Sequence, residues 1–386
     1  MLKRLAADIL AAPSASPAED LRAHPVIELL RRRREQGSRP GHRTDGRRVA
    51  LVIEGGAMRG VVSAGMAAAI EQLGLLASFD EVHGASAGAF NAAFLLAGQA
   101  AYLVGLYQCG FGDRAFAGPL RLLHGRPPID MDFLIGEVWT RRRRLDCAAV
   151  LRSGIELHCT ATDADRAELV DLSGLADAEE IRCALRASAR LPWLAGPPVR
   201  FRGRRLLDAT LAEAIPVSSA LARATDVLVL QTRPVGVRHQ PLAGPVAALT
   251  DRYLRAINPA LVSLRRTRSQ RYDRLSERLA ALAGDPQASP AVCVIRPPAG
   301  SPTIGQLEHR SARLQRAAAE GLRTAWVALE GEEPELIATL RAYPRREPAA
   351  ESESGSVSRS GEGGYALISP CGLSTNFLAT PESKSL

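Results

Sequence analysis

Of the 386 residues only Lys3 and Lys384 are lysines; every other base is arginine. So complete a replacement reads as genomic base composition and carries no function by itself. The six cysteines include no C-x-x-C pair, which excludes a disulfide scaffold and argues against a structural zinc site. Free thiols in a reducing compartment are the expectation. No apolar run approaches the roughly 20 residues of a membrane-spanning helix. The start, Met1-Leu2-Lys3-Arg4-Leu5, is charged but lacks the uninterrupted apolar stretch and cleavage site of a secretory leader. With 33 Gly and 25 Pro the chain is too poor in both to be fibrous or wholly disordered. Aromatics make up 4% and do not interleave the arginine runs at 31–34 and 141–144, so nucleic acid is not an expected partner. What remains is an ordinary globular mix, 46% apolar and 23% charged, expected to be soluble and cytoplasmic.

The net charge of +8 permits an anionic partner without demanding one. Residues 1–47 read as a basic N-terminal arm with a helix over 25–36; its run at 31–34 is either a solvated helix face or a peripheral contact with an anionic membrane surface. Residues 48–240 carry regular α/β alternation: strands at 49–53, 79–83, 155–162, 167–172 and 227–230, and helices at 61–73, after 86, and at 177–189. The pattern predicts a mostly parallel sheet sandwiched between helices in three layers. Residues 241–346 read as a helix-rich C-terminal part, with helices over 247–283 and 303–329 and a strand at 292–295. Residues 347–386 are rich in Ser, Gly and Glu and predict a disordered tail.

Two glycine turns carry the chemistry. The first, Glu54-Gly55-Gly56-Ala57-Met58-Arg59-Gly60, lies between a buried strand and a helix, where backbone N–H groups gather negative charge. It is an anion or oxyanion site, a tight-packing turn, or a nucleotide site. A dinucleotide fingerprint would need Gly at 57, and there is no Gly-Lys-Ser/Thr for a P-loop. The second turn, Gly84-Ala85-Ser86-Ala87-Gly88, is a G-x-S-x-G between strand and helix. That is the context of a nucleophile elbow, with a structural turn as the alternative. His83 points elsewhere by alternation and reads as structural; of the histidines downstream, only His239 arguably sits where a triad base would. Asp208, closing the apolar stretch Leu206-Leu207 after a hairpin at 200–205, can accept the serine proton directly if burial raises its pKa. A loop-capping role is the other reading of Asp208.

These elements in this order resemble the patatin-like phospholipase family over about residues 48–234. The resemblance rests on the turn at 55–60 with Arg59, on Gly84 to Gly88, on Ala187-Ser188-Ala189-Arg190-Leu191-Pro192, and on Asp208. It implies a serine lipid acyl hydrolase with a Ser86–Asp208 dyad, Ser86 as nucleophile and Asp208 as proton acceptor. The amides of Gly55, Gly56, Ala57, Met58, Arg59 and Gly60 would form the oxyanion hole, the substrate would be a lipid acyl ester, and no cofactor or metal is implied. Two positions depart from the family pattern. Ala57 stands where the turn usually has Gly, and Asp208 is followed by Ala209-Thr210. If position 57 needs a positive φ, Ala costs on the order of 1 kcal/mol there. Two rivals are a patatin-fold lipid-binding or regulatory protein that has lost turnover, separable by fluorophosphonate labelling, and a dinucleotide-dependent enzyme, separable by cofactor binding.

Overall fold

The computed structural model describes residues 21–331 except 109–120, 122–123, 143 and 286. The expected tail at 347–386 and the first 20 residues of the arm lie outside the described residues. In chain order, α1 (Pro25–Glu35) opens with Pro in its first turn and with the His24 ring accepting from the Val26 amide. The apolar run at 49–53 forms β1 (Val49–Ile53), buried along its whole length, as a central parallel strand covered on both faces should be. After the first glycine turn comes α2 (Gly60–Gln72). Next, β2 (Glu81–Ala85) starts two residues later than the alternation predicts, because Phe79 closes a 3₁₀ turn at Leu76–Ser78 and Asp80 turns aside to Arg33 and Arg43.

The second glycine turn leads into α3 (Ala87–Leu96), followed by α4 (Ala100–Gln108) and α5 (Cys147–Arg152). A hairpin, β3 (Glu156–Asp163) and β4 (Glu168–Leu172), precedes α6 (Ala178–Ser188). A tighter hairpin, β5 (Val199–Phe201) and β6 (Arg204–Leu207), precedes α7 (Val217–Leu221) and β7 (Asp226–Leu230). The expected helix over 247–283 is two helices, α8 (Gly244–Ile257) and α9 (Pro259–Ala283). Proline at 259 disfavours helical backbone at Asn258, which is extended and caps the Ala260 amide instead. The last described elements are β8 (Ala291–Ile295) and α10 (Ser311–Glu330).

The sheet runs β5-β6-β3-β2-β1-β7-β8, with β4 paired to β3. The pairs among β3, β2, β1, β7 and β8 are parallel, and those with β4, β5 and β6 antiparallel. Leu51 and Ile53 face a core shared with α2, α3 and α10, while Ala50 and Val52 face one shared with α7 and α9. The expected three-layer α/β sandwich is therefore present. One pairing detail positions everything that follows. Thr160 pairs with Ala85 of β2 on one edge and Asp171 of β4 on the other, and Thr162 pairs with Leu207 of β6 and Leu169 of β4. Hence β2 and β6 occupy the same edge of β3, running toward each other, and their ends meet.

The basic run at 31–34 is engaged largely within the protein. Arg31 and Arg34 pair with Glu330, at 3.3 and 2.5 Å. The Arg33 side chain is 1% exposed, and each of its five N–H donors has an acceptor: two on Asp45, one each on Asp80, Ser78 and Arg47. Only Arg32 of the four is exposed. The carboxylates that claim the others come from distant segments and could not be matched to them from sequence.

Candidate active site

Ser86 follows β2 directly, with φ 54 and ψ −120, a left-handed conformation that a non-glycine residue adopts only under constraint. The constraint is visible. The Ser86 amide donates to Ser188 Oγ at 2.8 Å. The two glycine turns are also pressed together so closely that side chains do not fit. A β-carbon on Gly55 would lie 2.3 Å from the Ala85 carbonyl oxygen, and one on Gly88 would lie 2.2 Å from that of Ile53. The result holds the Ser86 hydroxyl where β2 meets β6.

Asp208 leaves the same junction from the other side. Its amide donates to the Arg190 carbonyl at 2.9 Å, and its carbonyl accepts from Thr162 Oγ1 at 2.8 Å. The stretch at 187–192 thus frames both residues, Ser188 holding one and Arg190 the other. The Ser86 hydroxyl donates to Asp208 Oδ2 at 2.8 Å. The other carboxylate oxygen accepts from the Thr210 amide at 2.9 Å and its hydroxyl at 2.5 Å. Thr210, which the sequence presented only as a departure, therefore orients the carboxylate. Asp208 is fully buried; burial raises its pKa above the usual carboxylate value, opposed by the Thr210 and Ser86 hydrogen bonds and by Arg268.

The first turn is more selective than the expectation of six donors. The Gly55 amide donates to Ala214, Met58 to Gln306, and Arg59 to Gly56; the Gly60 amide folds back on the turn itself. Among the described residues the Gly56 and Ala57 amides have no acceptor. Ala57 sits at φ 50, so the positive φ that the family pattern meets with Gly is adopted here by Ala. Ala209, in contrast, lies in a 3₁₀ turn without a positive φ. The Arg59 side chain folds over the turn: its Nε donates to Thr232 Oγ1 at 3.0 Å, and a β-carbon on Gly56 would fall 2.8 Å from its Nη2.

His239 and His83 hydrogen-bond to other serines and not to Ser86 or Asp208. His239 Nδ1 is 2.9 Å from Ser269 Oγ. Burial, then Arg268, Arg233 and Arg59, lower its pKa to about 3. His83 is buried, 2.8 Å from Ser219 Oγ and 3.1 Å from Glu81. Glu81, His83 and His158 bring ligand atoms within 4.8 Å of one another, yet their arrangement is poor for a metal. The two rings are stacked at 4.1 Å and 16°, so their nitrogen lone pairs run side by side instead of converging. Arg48 and Arg223 already hold Glu81. Burial alone would raise Glu81, but His83 and Arg48 bring its pKa down to about 2.

A family model described as patatin-like phospholipase matches residues 51–221, the span that holds Ser86, Asp208 and both glycine turns. Over that span the chain is similar to patatin-like phospholipases. It is 30% identical over 197 residues to the uncharacterized protein YjjU of Escherichia coli (strain K12), a match covering 50% of this chain and 54% of that protein. The chain therefore spans about half the length of this curated relative. It is also similar to VipD from Legionella pneumophila, with 12% identity and a TM-score of 0.36, over 74% of this chain and 67% of that one.

Proposed function

We propose that the chain is a serine lipid acyl hydrolase that cleaves carboxylic esters through a Ser86–Asp208 dyad and an acyl-enzyme. The observation that carries this reading is the 2.8 Å hydrogen bond from a strained Ser86 to a buried carboxylate. Ser86 Oγ attacks the ester carbonyl as its proton passes to Asp208. The tetrahedral oxyanion is held by the Gly56 and Ala57 amides, donors whose loss elsewhere costs about 10²–10³-fold in rate. Collapse breaks the carbonyl–alkoxide bond, and the departing alcohol takes the proton from Asp208. Water then attacks the acyl-enzyme with Asp208 again as base, releasing the fatty acid and restoring both residues.

The substrate is a lipid acyl ester, and the reaction as written draws on this chain's groups and water alone. No helix among the described residues is long and apolar enough to cross a membrane; we assign the protein to the cytoplasm, meeting lipid from the aqueous side. Fluorophosphonate labelling tests the reading, because only an activated serine reacts. Labelling of the wild type but not of Ser86→Ala, together with turnover of a short acyl ester, is the expected result. A wild type that neither labels nor turns over would leave the regulatory reading in its place.

A further inference from the structure

Among the described residues eight large apolar side chains are exposed, and five of them, Val235, Val237, Leu242, Val246 and Leu249, fall between 235 and 249. Single exposed apolar residues are ordinary, whereas a contiguous group marks a surface that meets something. The segment leaves the carboxyl end of β7, and both of its ends are fastened to the walls of the Ser86 site. At one end Thr232 Oγ1 accepts from Arg59 Nε at 3.0 Å and the Thr232 amide donates to Glu54 at 2.6 Å, which ties it to the first glycine turn. At the other end, on α8, Thr250 Oγ1 accepts from Trp193 Nε1 at 2.9 Å and the Tyr253 hydroxyl donates to the Gly196 carbonyl at 3.1 Å. Trp193 and Gly196 continue the stretch whose Ser188 and Arg190 hold Ser86 and Asp208. A sixth exposed residue, Leu307, follows Gln306, whose carbonyl holds the Met58 amide of the glycine turn.

The buried side chains of α8 are Thr250, Asp251 and Leu254. Val246, Leu249, Arg252 and Arg255 succeed one another every three positions along its exposed side, apolar in the first half and cationic in the second. Apolar and basic side chains set together in this way suit a helix lying in a bilayer interface. The only acid from 235 to 256 is Asp251, buried and held by Arg265 and Arg266. Arg238, Arg252 and Arg255 are exposed, and among the described residues none of them has an ion-pair partner. The segment therefore shows solvent apolar groups and positive charge, with no exposed carboxylate of its own. A symmetric dimer through this face would bring like charges together. An anionic lipid surface instead takes both components, the apolar side chains into its hydrocarbon edge and the arginines against its head groups.

We propose that the face formed by residues 235–256 docks on an anionic lipid bilayer, with Leu242, Val246 and Leu249 entering the interface and Arg238, Arg252 and Arg255 meeting the anionic head groups. Docked in this way, the protein turns the carboxyl end of the sheet, where Ser86 stands, toward the lipid. The face lies beyond the family-matched span, so it is a property of this chain's C-terminal half. Docking needs no catalysis; only its purpose, delivering lipid to Ser86, rests on the acyl-hydrolase reading. The basic run at 31–34, engaged largely within the protein, is not the docking element.

Co-sedimentation of the full-length protein tests this, with vesicles of mixed phosphatidylcholine and phosphatidylglycerol and vesicles of phosphatidylcholine alone. Wild type is expected to favour the anionic vesicles by about tenfold or more, since each base near such a surface is worth about fivefold, and to be released as salt rises. Leu242→Glu combined with Leu249→Glu should lower binding by about tenfold or more. Arg252→Gln combined with Arg255→Gln should reduce the preference for the anionic vesicles, and Arg32→Gln should bind as wild type does. All five positions are exposed, so each variant should keep its Tm within about 2 °C of wild type. No binding to either vesicle overturns the proposal, and so does equal binding to both. Binding that the leucine variant leaves unchanged overturns it too, because another surface would then dock. A wild-type dimer in analytical ultracentrifugation that the leucine variant dissolves would give the face to a second copy and likewise overturn it. Wild type that docks as expected but takes up no fluorophosphonate would sink the acyl-hydrolase reading and uphold the docking face.

Discussion

The two ends of the sheet carry comparable numbers of arginines, arranged in opposite ways. At the amino ends of the parallel strands, Arg33 fills all five donors, Arg47 holds Asp226 through two bonds of 2.8 and 2.6 Å, and Arg48 holds Glu81. Burial and bonding there are matched: Arg33 draws the Asp45 pKa down to about 2. At the carboxyl ends, where open α/β sheets bind ligands, the Arg233 and Arg268 side chains have no acceptor among the described residues, and Ser86 and Ala57 hold positive φ values. The contrast separates charge satisfied within the fold from charge and strain that the fold leaves uncompensated. Arg33, Arg47 and Arg48 complete ion pairs within the chain; among the described residues Arg233 and Arg268 do not.

The largest effects should come from breaking the carboxyl end. Ser86→Ala is expected to lower ester turnover by several orders of magnitude while leaving the Tm nearly unchanged, because among the described residues the hydroxyl hydrogen-bonds only to Asp208. Residual activity within tenfold of wild type would remove Ser86 from the reaction. Asp208→Asn should be comparably damaging, while His239→Ala should not be. Because the base must be ionised and burial raises its pKa, kcat/KM should fall with decreasing pH at a value above the ordinary carboxylate range. The sign for stability follows from the same shift. Burial favours protonated Asp208, so the wild type loses stability as pH rises through that pKa, and Asp208→Asn should gain relative stability at pH 7 compared with pH 4. A variant equally stable relative to wild type at both values would contradict this.

A more moderate contrast tests the comparison itself. Arg33→Ala strips a fully bonded buried cation from Asp45 and Asp80 and should cost about 3 kcal/mol, the low end for breaking a buried pair. Arg233→Gln removes a cation with no ionic partner and should change stability by less than about 1 kcal/mol, or raise it. Urea titrations of the two variants decide this; equal losses would erase the distinction drawn between the two ends. The smallest effect is expected at Ala57→Gly, where relief of the positive φ is partly offset by a freer unfolded chain. A gain of under about 1 kcal/mol should result, and a clear loss of stability would mean that the Ala57 methyl is itself packed.

Much of this was legible along the chain. The buried strands, the glycine turns and the hairpin before Asp208 declared themselves through apolar runs and small residues, which are local signals. Of the boundary errors one had a local cause, Pro259, which split a helix that periodicity alone had joined; the other did not, since Asp80 left its strand for two arginines of the arm some 40 residues away. The first glycine turn was legible, but which of its amides are free depends on Ala214 and Gln306, acceptors some 160 and 250 residues away.

By itself, then, the sequence determined the layers of the sheet and the residue types at its two turns, because burial periodicity and backbone strain act within a few residues. Only the tertiary structure decided that β2 and β6 meet on one edge of β3, bringing Ser86 against Asp208 across 122 positions. It also decided that the run at 31–34 is held by Glu330, Asp45 and Asp80, and that among the described residues Arg233 and Arg268 have no ion-pair partner. An arginine looks the same in every sequence. Whether it is paired depends on which carboxylates the fold brings within about 4 Å of it, and no local signal encodes that distance.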